Sequence, residues 1–227
     1  MACFGHFRAL EFDSVSDFTR PDFKIYDNGS PIPDEVVSAV IQITVDDALD
    51  AAAVATIRLR DDLCWLSNDT KFKIGNEIKI ELGYVGQTQQ VFLGEVTGWK
   101  GAFPRRGNQT LTIIAQDRFH RLRRNRRQKT FLEMKDSEAV SAVATACDGI
   151  SSAQCTATAI KQDCIIQWNQ TDADFILERA SLYGMEVYVD DAKLIMRDPK
   201  LSDAPVATLE WHKQLQHFST SISLLRQ

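Results

Sequence analysis

The sequence predicts a mainly β chain (α+β in class) in two parts, with short helices confined to the second part. Three observations carry that reading. Up to about Ala115 apolar and polar residues alternate at period two, interrupted by glycines and asparagines. After Thr130 the period becomes helical, at Val140, Val143, Ala144 and Cys147. Between the two lies Arg118 to Lys129, RFHRLRRNRRQK, with six arginines, one lysine and no acid.

Residues 1–20 read as an N-terminal extension and 21–128 as a first, all-β domain. Phe23 to Tyr26 makes a strand, and Asn28-Gly29 a tight turn into a second strand near Val36 to Val45. Ala55 to Arg60 alternates, with Ile57 and Leu59 on one face. Glu77 to Leu82 alternates more cleanly: Ile78, Ile80 and Leu82 face inward, and Glu77, Lys79 and Glu81 face water. Val91 to Val96 and Thr110 to Ala115 complete the set, with Gly94 read as a bulge and Gly98, Gly101 and Gly107 as turns. Short strands at this spacing suggest a barrel or sandwich, and a closed barrel removes exposed edges.

The second domain is read over 129–227. Asp136 or Ser137 caps a helix that ends near Gly149, and Ser151 to Lys161 is a loop or edge strand. Cys164 to Trp168 is a short buried strand. Thr171 to Asp174 suits a capping box, and Gly184 closes the helix that follows. Met185 to Val189 and Lys193 to Met196 form a hairpin around Asp190-Asp191. Two further strands are expected at Thr208 to Trp211 and Phe218 to Leu225. On a helical wheel Ala173, Ile176, Leu177, Ala180 and Tyr183 form one apolar arc. Phe175 and Leu182 form a second, so the helix is buried on both sides, within the domain or against another chain.

The segment Gln167-Trp168-Asn169-Gln170-Thr171-Asp172-Ala173-Asp174-Phe175-Ile176-Leu177, then Ala180 and Gly184, resembles phage late control D proteins and VgrG-type spike proteins. His120-Arg121-Leu122 and Arg124 match a basic segment of the same family. Ala173 replaces a bulky aromatic there, and Leu182-Tyr183 replace acids. The resemblance implies two tube-like β-barrel domains per chain, the second cut short at Gln227, and a homotrimer whose pseudo-sixfold symmetry joins a hexameric tube to a trimeric spike. Implied partners are further copies of the chain, a tube protein, a spike or spike domain, and other baseplate proteins. The implied location is the cytoplasm during assembly, then the virion or injection particle. The spike itself is expected on a longer version of the chain or on a separate protein.

Composition narrows the function classes. Five cysteines without close pairs point to a reducing compartment, and no stretch has the form of a secretory signal. His6, His120, His212 and His217 form no metal-ligand pattern, and no nucleophile elbow or phosphate-binding loop occurs. The acid pairs Asp46-Asp47, Asp61-Asp62 and Asp190-Asp191 sit at expected turns. The expectation is therefore a structural protein, not an enzyme, with no cofactor, no metal and no small-molecule substrate. Outside the arginine run 19 basic residues face 31 acidic ones, so the run has acids to pair with. Its alternatives are an interdomain or intersubunit contact, a solvated connector, and a nucleic-acid site, the last disfavoured by the absence of a recognition motif. The residues assigned to an interface are Arg121, Arg123, Arg124, Arg126, Arg127, Phe175 and Leu182.

Overall fold

The computed structural model describes residues 20–68, 71–201, 204–205, 208–211 and 217–220. The first core is built on one antiparallel sheet of seven strands: β1 Pro21–Asp27, β2 Ser30–Pro31, β3 Val40–Asp46, β4 Val54–Arg60, β5 Glu77–Tyr84, β6 Gln87–Ala102 and β7 Thr110–Gln116. Their order is β2-β1-β5-β6-β7-β4-β3. Asn28 and Gly29 both take positive φ, 48° and 77°, in the two-residue turn that sets Asp27 opposite Ser30. Period-two alternation sends Ile57 and Leu59, Ile78 and Ile80, and Leu111 and Ile113 to one face, where all are buried.

The central strand β6 has 16 residues, about 50 Å of chain. It pairs with β5 along its first half and with β7 along its second, and Glu95 faces both neighbours. Two bulges bend it, at Val91 and at Thr97, where the register slips. Gly94 is not itself the bulge. A Cβ there would lie 2.4 Å from the Gln116 carbonyl oxygen and 2.5 Å from the Phe92 ring, so the position admits only glycine. Gly98 and Gly101 lie inside the strand, and only Gly107 serves the turn, with φ 101°.

Two expectations are corrected here. The segment read as a strand from Val36 begins as helix α1, Asp34–Ala39, and becomes strand only at Val40, so helix is not confined to the second part. Pro33 starts that helix, and Val36 and Ala39 bury its inner side in the sheet's core. The sheet is also not closed into a barrel. Its ends are the two-residue β2 and the strand β3, which do not pair with each other, because the chain leaves β2 for α1 instead of running along β1.

A separate core follows. A two-stranded ribbon pairs β8 Arg126–Lys135 with β10 Lys161–Thr171, and a three-stranded sheet has the order β11-β12-β9. Its strands are β9 Ser152–Cys155, β11 Glu186–Asp190 and β12 Lys193–Arg197, with β9 parallel to β12. Helices α2 Asp136–Thr145 and α3 Asp172–Ser181 lie within the expected spans 136–148 and 171–184. Phe119, Leu122, Val140, Val143, Phe175, Ile176, Val187, Leu194 and Met196 fill this core. This part too forms no closed barrel among the described residues. Lys135 stands at the N-cap of α2 in place of Asp136 or Ser137, and the Glu138 carboxylate accepts its backbone N–H at 2.9 Å. The β11–β12 hairpin turns at Asp191-Ala192, one residue later than expected. Of the last two expected strands, Thr208 to Trp211 shows only a single bridge at Trp211, Phe218 to Thr220 is not strand, and 221–225 lies outside the described residues, as does 1–19.

Gly94→Ala tests the bend of β6. The added methyl forces the Phe92 ring or the Gln116 strand to shift, so the variant is expected to lose about 1–3 kcal/mol in denaturant unfolding. Unchanged stability would show that the close approach at Gly94 does not constrain the strand.

Candidate functional site

The arginine run is neither a linker nor one uniform patch. Its first half is a 3-10 helix, Arg118–Arg123, and its second half enters β8. Asp117 caps the 3-10 helix: its Oδ1 accepts the Phe119 N–H at 3.0 Å, and Phe119 and Leu122 drop into the second core. A three-residue period therefore turns Arg118 and Arg121 one way, towards the first sheet.

What they meet there is Glu95, buried in β6 with only 6% of its surface exposed. Arg121 grips it with both arms, Nε to Oε2 at 2.9 Å and Nη2 to Oε1 at 2.6 Å. The remaining amine, Nη1, reaches 2.6 Å to Asp148 Oδ2, just beyond α2. Arg118 adds Nη2 to Glu77 Oε2 at 2.6 Å, on β5. One connector thus pins two strands of the first sheet to the end of a helix in the second core. A bidentate guanidinium–carboxylate pair fixes direction as well as distance. Nearby, Asp50 reinforces the same joint: its N–H donates to the Val187 carbonyl at 2.9 Å, and its Oδ1 accepts from the Val187 N–H at 3.0 Å. Above the joint an open hollow of about 410 Å³ is lined by Glu95, Arg118, Arg121, Asp148, Ile150 and Ser151, among others.

Burial sets the protonation of two neighbours. His120 has its Nε2 at 2.8 Å from Arg124 Nη2, and a guanidinium only donates, so Nε2 accepts and the proton sits on Nδ1. Nδ1 then donates to the Asp117 carbonyl at 2.5 Å. Burial lowers the pKa of this imidazole, so the ring is neutral and its 3.7 Å approach to Glu95 is not an ion pair. Burial drives the Asp117 carboxyl up to about 7, against hydrogen bonds from Ala53 and Phe119 that favour its charge.

The segment from Gln167 to Gly184 turns out to be a folding joint. Gln167, fully buried, donates from Nε2 to Asp172 Oδ1 at 2.9 Å, and Asp172 Oδ2 takes Arg127 Nε at 3.2 Å. Thr171 Oγ1 accepts from Asp174 N at 3.0 Å, the forward half of the capping box. Phe175 stacks on Phe131 with ring centroids 5.9 Å apart, in the second core. Gly184 takes φ 65° and closes α3.

The residues assigned to an interface therefore part ways. Arg121 joins the two cores, Arg127 holds Asp172, and Phe175 is buried within its own core. Leu182 is 62% exposed. Arg123, Arg124 and Arg126 are exposed and form no ion pair with a described residue: Arg123 lies over the Phe119 ring, Arg124 bonds His120, and Arg126 donates to the Asn169 carbonyl. Sequence reasoning missed Glu95, Glu77 and Asp148, because period-two alternation puts Glu77 and Glu95 on the sheet's outer face and nothing in it marks a carboxylate that a distant arginine will cover. It also missed Asp136, fully buried between the Tyr183 hydroxyl at 2.7 Å and Arg179 Nη1 at 3.6 Å. Among the described residues no three His, Cys, Asp or Glu side chains are grouped to hold a metal, and no helix is long and apolar enough to cross a membrane. Burial raises the Cys147 and Cys155 thiols, which stay protonated as packing groups. Asp61 is a turn organiser, as its position suggests: it is buried and accepts the Leu66 N–H at 2.8 Å.

The family model described as the Alg8 N-terminal domain matches residues 18–227. The chain belongs to that family. It is not the late control D and VgrG family that the Gln167 to Gly184 segment resembles, so that resemblance holds at the level of fold. No curated protein matches by sequence. Among solved structures, this Alg8 N-terminal domain chain is similar to the tail protein from Neisseria meningitidis MC58, at 18% identity and a TM-score of 0.63, covering 87% of this chain and 57% of that one. The 43 kDa tail protein of prophage MuSo2 from Shewanella oneidensis is 13% identical with a TM-score of 0.60, over 78% and 53% of the two chains. The E. coli c3393 protein, a component of the type VI secretion system, is 14% identical with a TM-score of 0.52, over 78% and 49%. These likenesses establish a fold shared with phage tail proteins. The chain spans about half the length of the structures it matches.

Asp117 gives the site a pH signature. Between the unfolded value near 4 and the folded value of about 7 the native chain holds a proton that the unfolded chain has lost. Its contribution to stability is therefore present below about pH 4, falls as pH rises to about 7, and is flat above. Asp117→Asn, which keeps a cap acceptor, is expected to gain on wild type across that window, by on the order of 2–4 kcal/mol at pH 8. Denaturant midpoints of the two proteins measured from pH 4 to 8 check this, and a constant difference would refute it.

Proposed function

We propose that this chain is a structural hub protein of a contractile injection machine, such as a phage tail, a tailocin or a related secretion particle, where it joins a hexameric tube to a trimeric spike. The observation that carries the reading is the fold shared with the Neisseria and Shewanella tail proteins and with the type VI secretion component. The interior of the chain supports it. Its charged side chains are spent on holding two cores in fixed orientation, which suits a part whose work is geometry and binding rather than chemistry. Three copies, each contributing two domains to a ring, would meet six tube subunits on one side and a threefold spike on the other. The partners are further copies of the chain, the tube, the spike and other baseplate proteins, first in the cytoplasm and then in the particle.

A nucleic-acid module is the second reading, and the exposed trio Arg123, Arg124 and Arg126 is what favours it. Arg118, Arg121 and Arg127 are committed to Glu77, Glu95 and Asp172, which leaves half of the run's arginines for phosphates.

Cryo-EM of intact particles containing the tagged chain tests the proposal. Three copies on the axis between tube and spike are expected. Six copies, or a position away from the axis, would overturn the hub, and a shift of generic DNA at physiological salt, lost on reversing Arg123 and Arg124, would favour the second reading.

A further inference from the structure

The β8–β10 ribbon has two faces of unlike fate. Phe131 and Ile165, paired across the strands, point into the second core. The other face carries the pairs Leu132 with Cys164, Thr130 with Ile166 and Gln128 with Trp168. There Leu132 is 67% exposed, Ile166 56% and Trp168 68%. No other described strand pairs with either edge of the ribbon. At the Trp168 end stand Arg123, Arg124 and Arg126, exposed and without carboxylate partners among the described residues. An exposed tryptophan and two aliphatics beside arginines with no carboxylate partner among the described residues match the composition of interface hot spots.

The chain also carries a segment of opposite sign, beside the exposed Arg58 and Arg60 of the paired strand β4. From Ile25 to Ile57 there are six acids, Asp27, Asp34, Glu35, Asp46, Asp47 and Asp50, and no lysine, arginine or histidine. This segment contains β3, the longer of the two end strands of the seven-stranded sheet, where Ile41 is 52% exposed. Asp34 and Glu35 stand exposed on α1 just before it, and Asp46 at its far end. Ile41 is thus an exposed aliphatic side chain between acids at both ends of the segment.

We propose that these two surfaces meet between copies: the outer face of the ribbon, with Arg123, Arg124 and Arg126, receives the β3 edge, with Asp34, Glu35 and Asp46, of the next copy. Because two different patches meet, the contact is head to tail, and copies joined this way close into a ring or extend as a filament. Ten-residue β8 gives the ribbon about 33 Å of length, and two strands about 10 Å of width, so its face offers about 330 Å² of the roughly 800 Å² that a stable contact covers on each partner. The inference deepens the hub reading by naming which surfaces join its copies, and it rests on that reading only for a ring being the useful outcome.

Sedimentation velocity on the purified full chain at micromolar concentration tests it. Wild type is expected to assemble, less so as salt rises. Arg123→Glu with Arg124→Glu, and separately Asp34→Lys with Glu35→Lys, are each expected to weaken association about thirtyfold. Combining the changes in one chain should restore assembly, because every contact then pairs opposite charges, whereas mixing the two charge-reversed chains restores only the contacts between unlike chains. Thr130→Arg, on the exposed face and away from the core, provides an apolar-side control that should also disperse the assembly with an unchanged circular dichroism spectrum. A wild type that stays monomeric overturns the proposal. So does assembly that Thr130→Arg disperses while Asp34→Lys with Glu35→Lys leaves it intact, the pattern of a ribbon-to-ribbon contact. Head-to-tail assembly in solution by a chain absent from the particle axis would sink the hub reading and leave this one standing.

Discussion

The carboxylate of Glu95 is the constraint around which the two cores are arranged. Stripping an ionised carboxylate of water costs several kcal/mol unless a cation follows it in. Here the cation is Arg121, bidentate at 2.6 and 2.9 Å, and it comes from the connector between the cores rather than from the sheet that holds Glu95. Satisfying Glu95 therefore docks the connector. The connector's own apolar residues, Phe119 and Leu122, then belong to the second core, and Asp148 takes the last arm of the same guanidinium. An apolar contact of the same area would tolerate sliding, whereas five donors in a rigid fork do not.

The rest of the run divides according to what its register allows. The three-residue period of the 3-10 helix gives Arg118 and Arg121 to the first sheet, and entry into β8 gives Arg127 to Asp172. Arg123, Arg124 and Arg126 are left facing outward, next to the bare face of the ribbon. Charge density that looks uniform along the sequence is thus internal at some positions and external at others. The proposed role in a tail assembly would draw on both: rigidity inside the chain, and a charged, apolar surface offered to something outside it.

Local signals were legible wherever local physics decides. Asn28-Gly29, Thr171 with Asp174, and Gly184 each solve a backbone problem within four residues, and each appears where the sequence places it. Alternation in Glu77 to Leu82 and helical spacing in 136–148 were equally readable, because one face of each element meets one core. Long-range packing was not. Val36 to Val45 is apolar enough for a strand, but Pro33 and the acids after it begin a helix first. Closure of the first sheet depended on where the chain goes after β2, which no period encodes. Phe175, read as a possible contact with another chain, found its partner in Phe131, 44 residues earlier. Glu95 gave no sign at all, since it keeps the outward side of its strand and only an arginine 26 residues away makes it central.

The claim that Glu95 and Arg121 form the joint is tested most directly by a double-mutant cycle on stability, with Glu95→Gln, Arg121→Met and the pair together, read by denaturant unfolding at neutral pH. A buried, bidentate pair predicts a coupling of about 2 kcal/mol or more, with the double variant less damaged than the two single losses would sum to. A coupling near zero would mean that the two side chains act independently, and that something other than this pair holds the cores together.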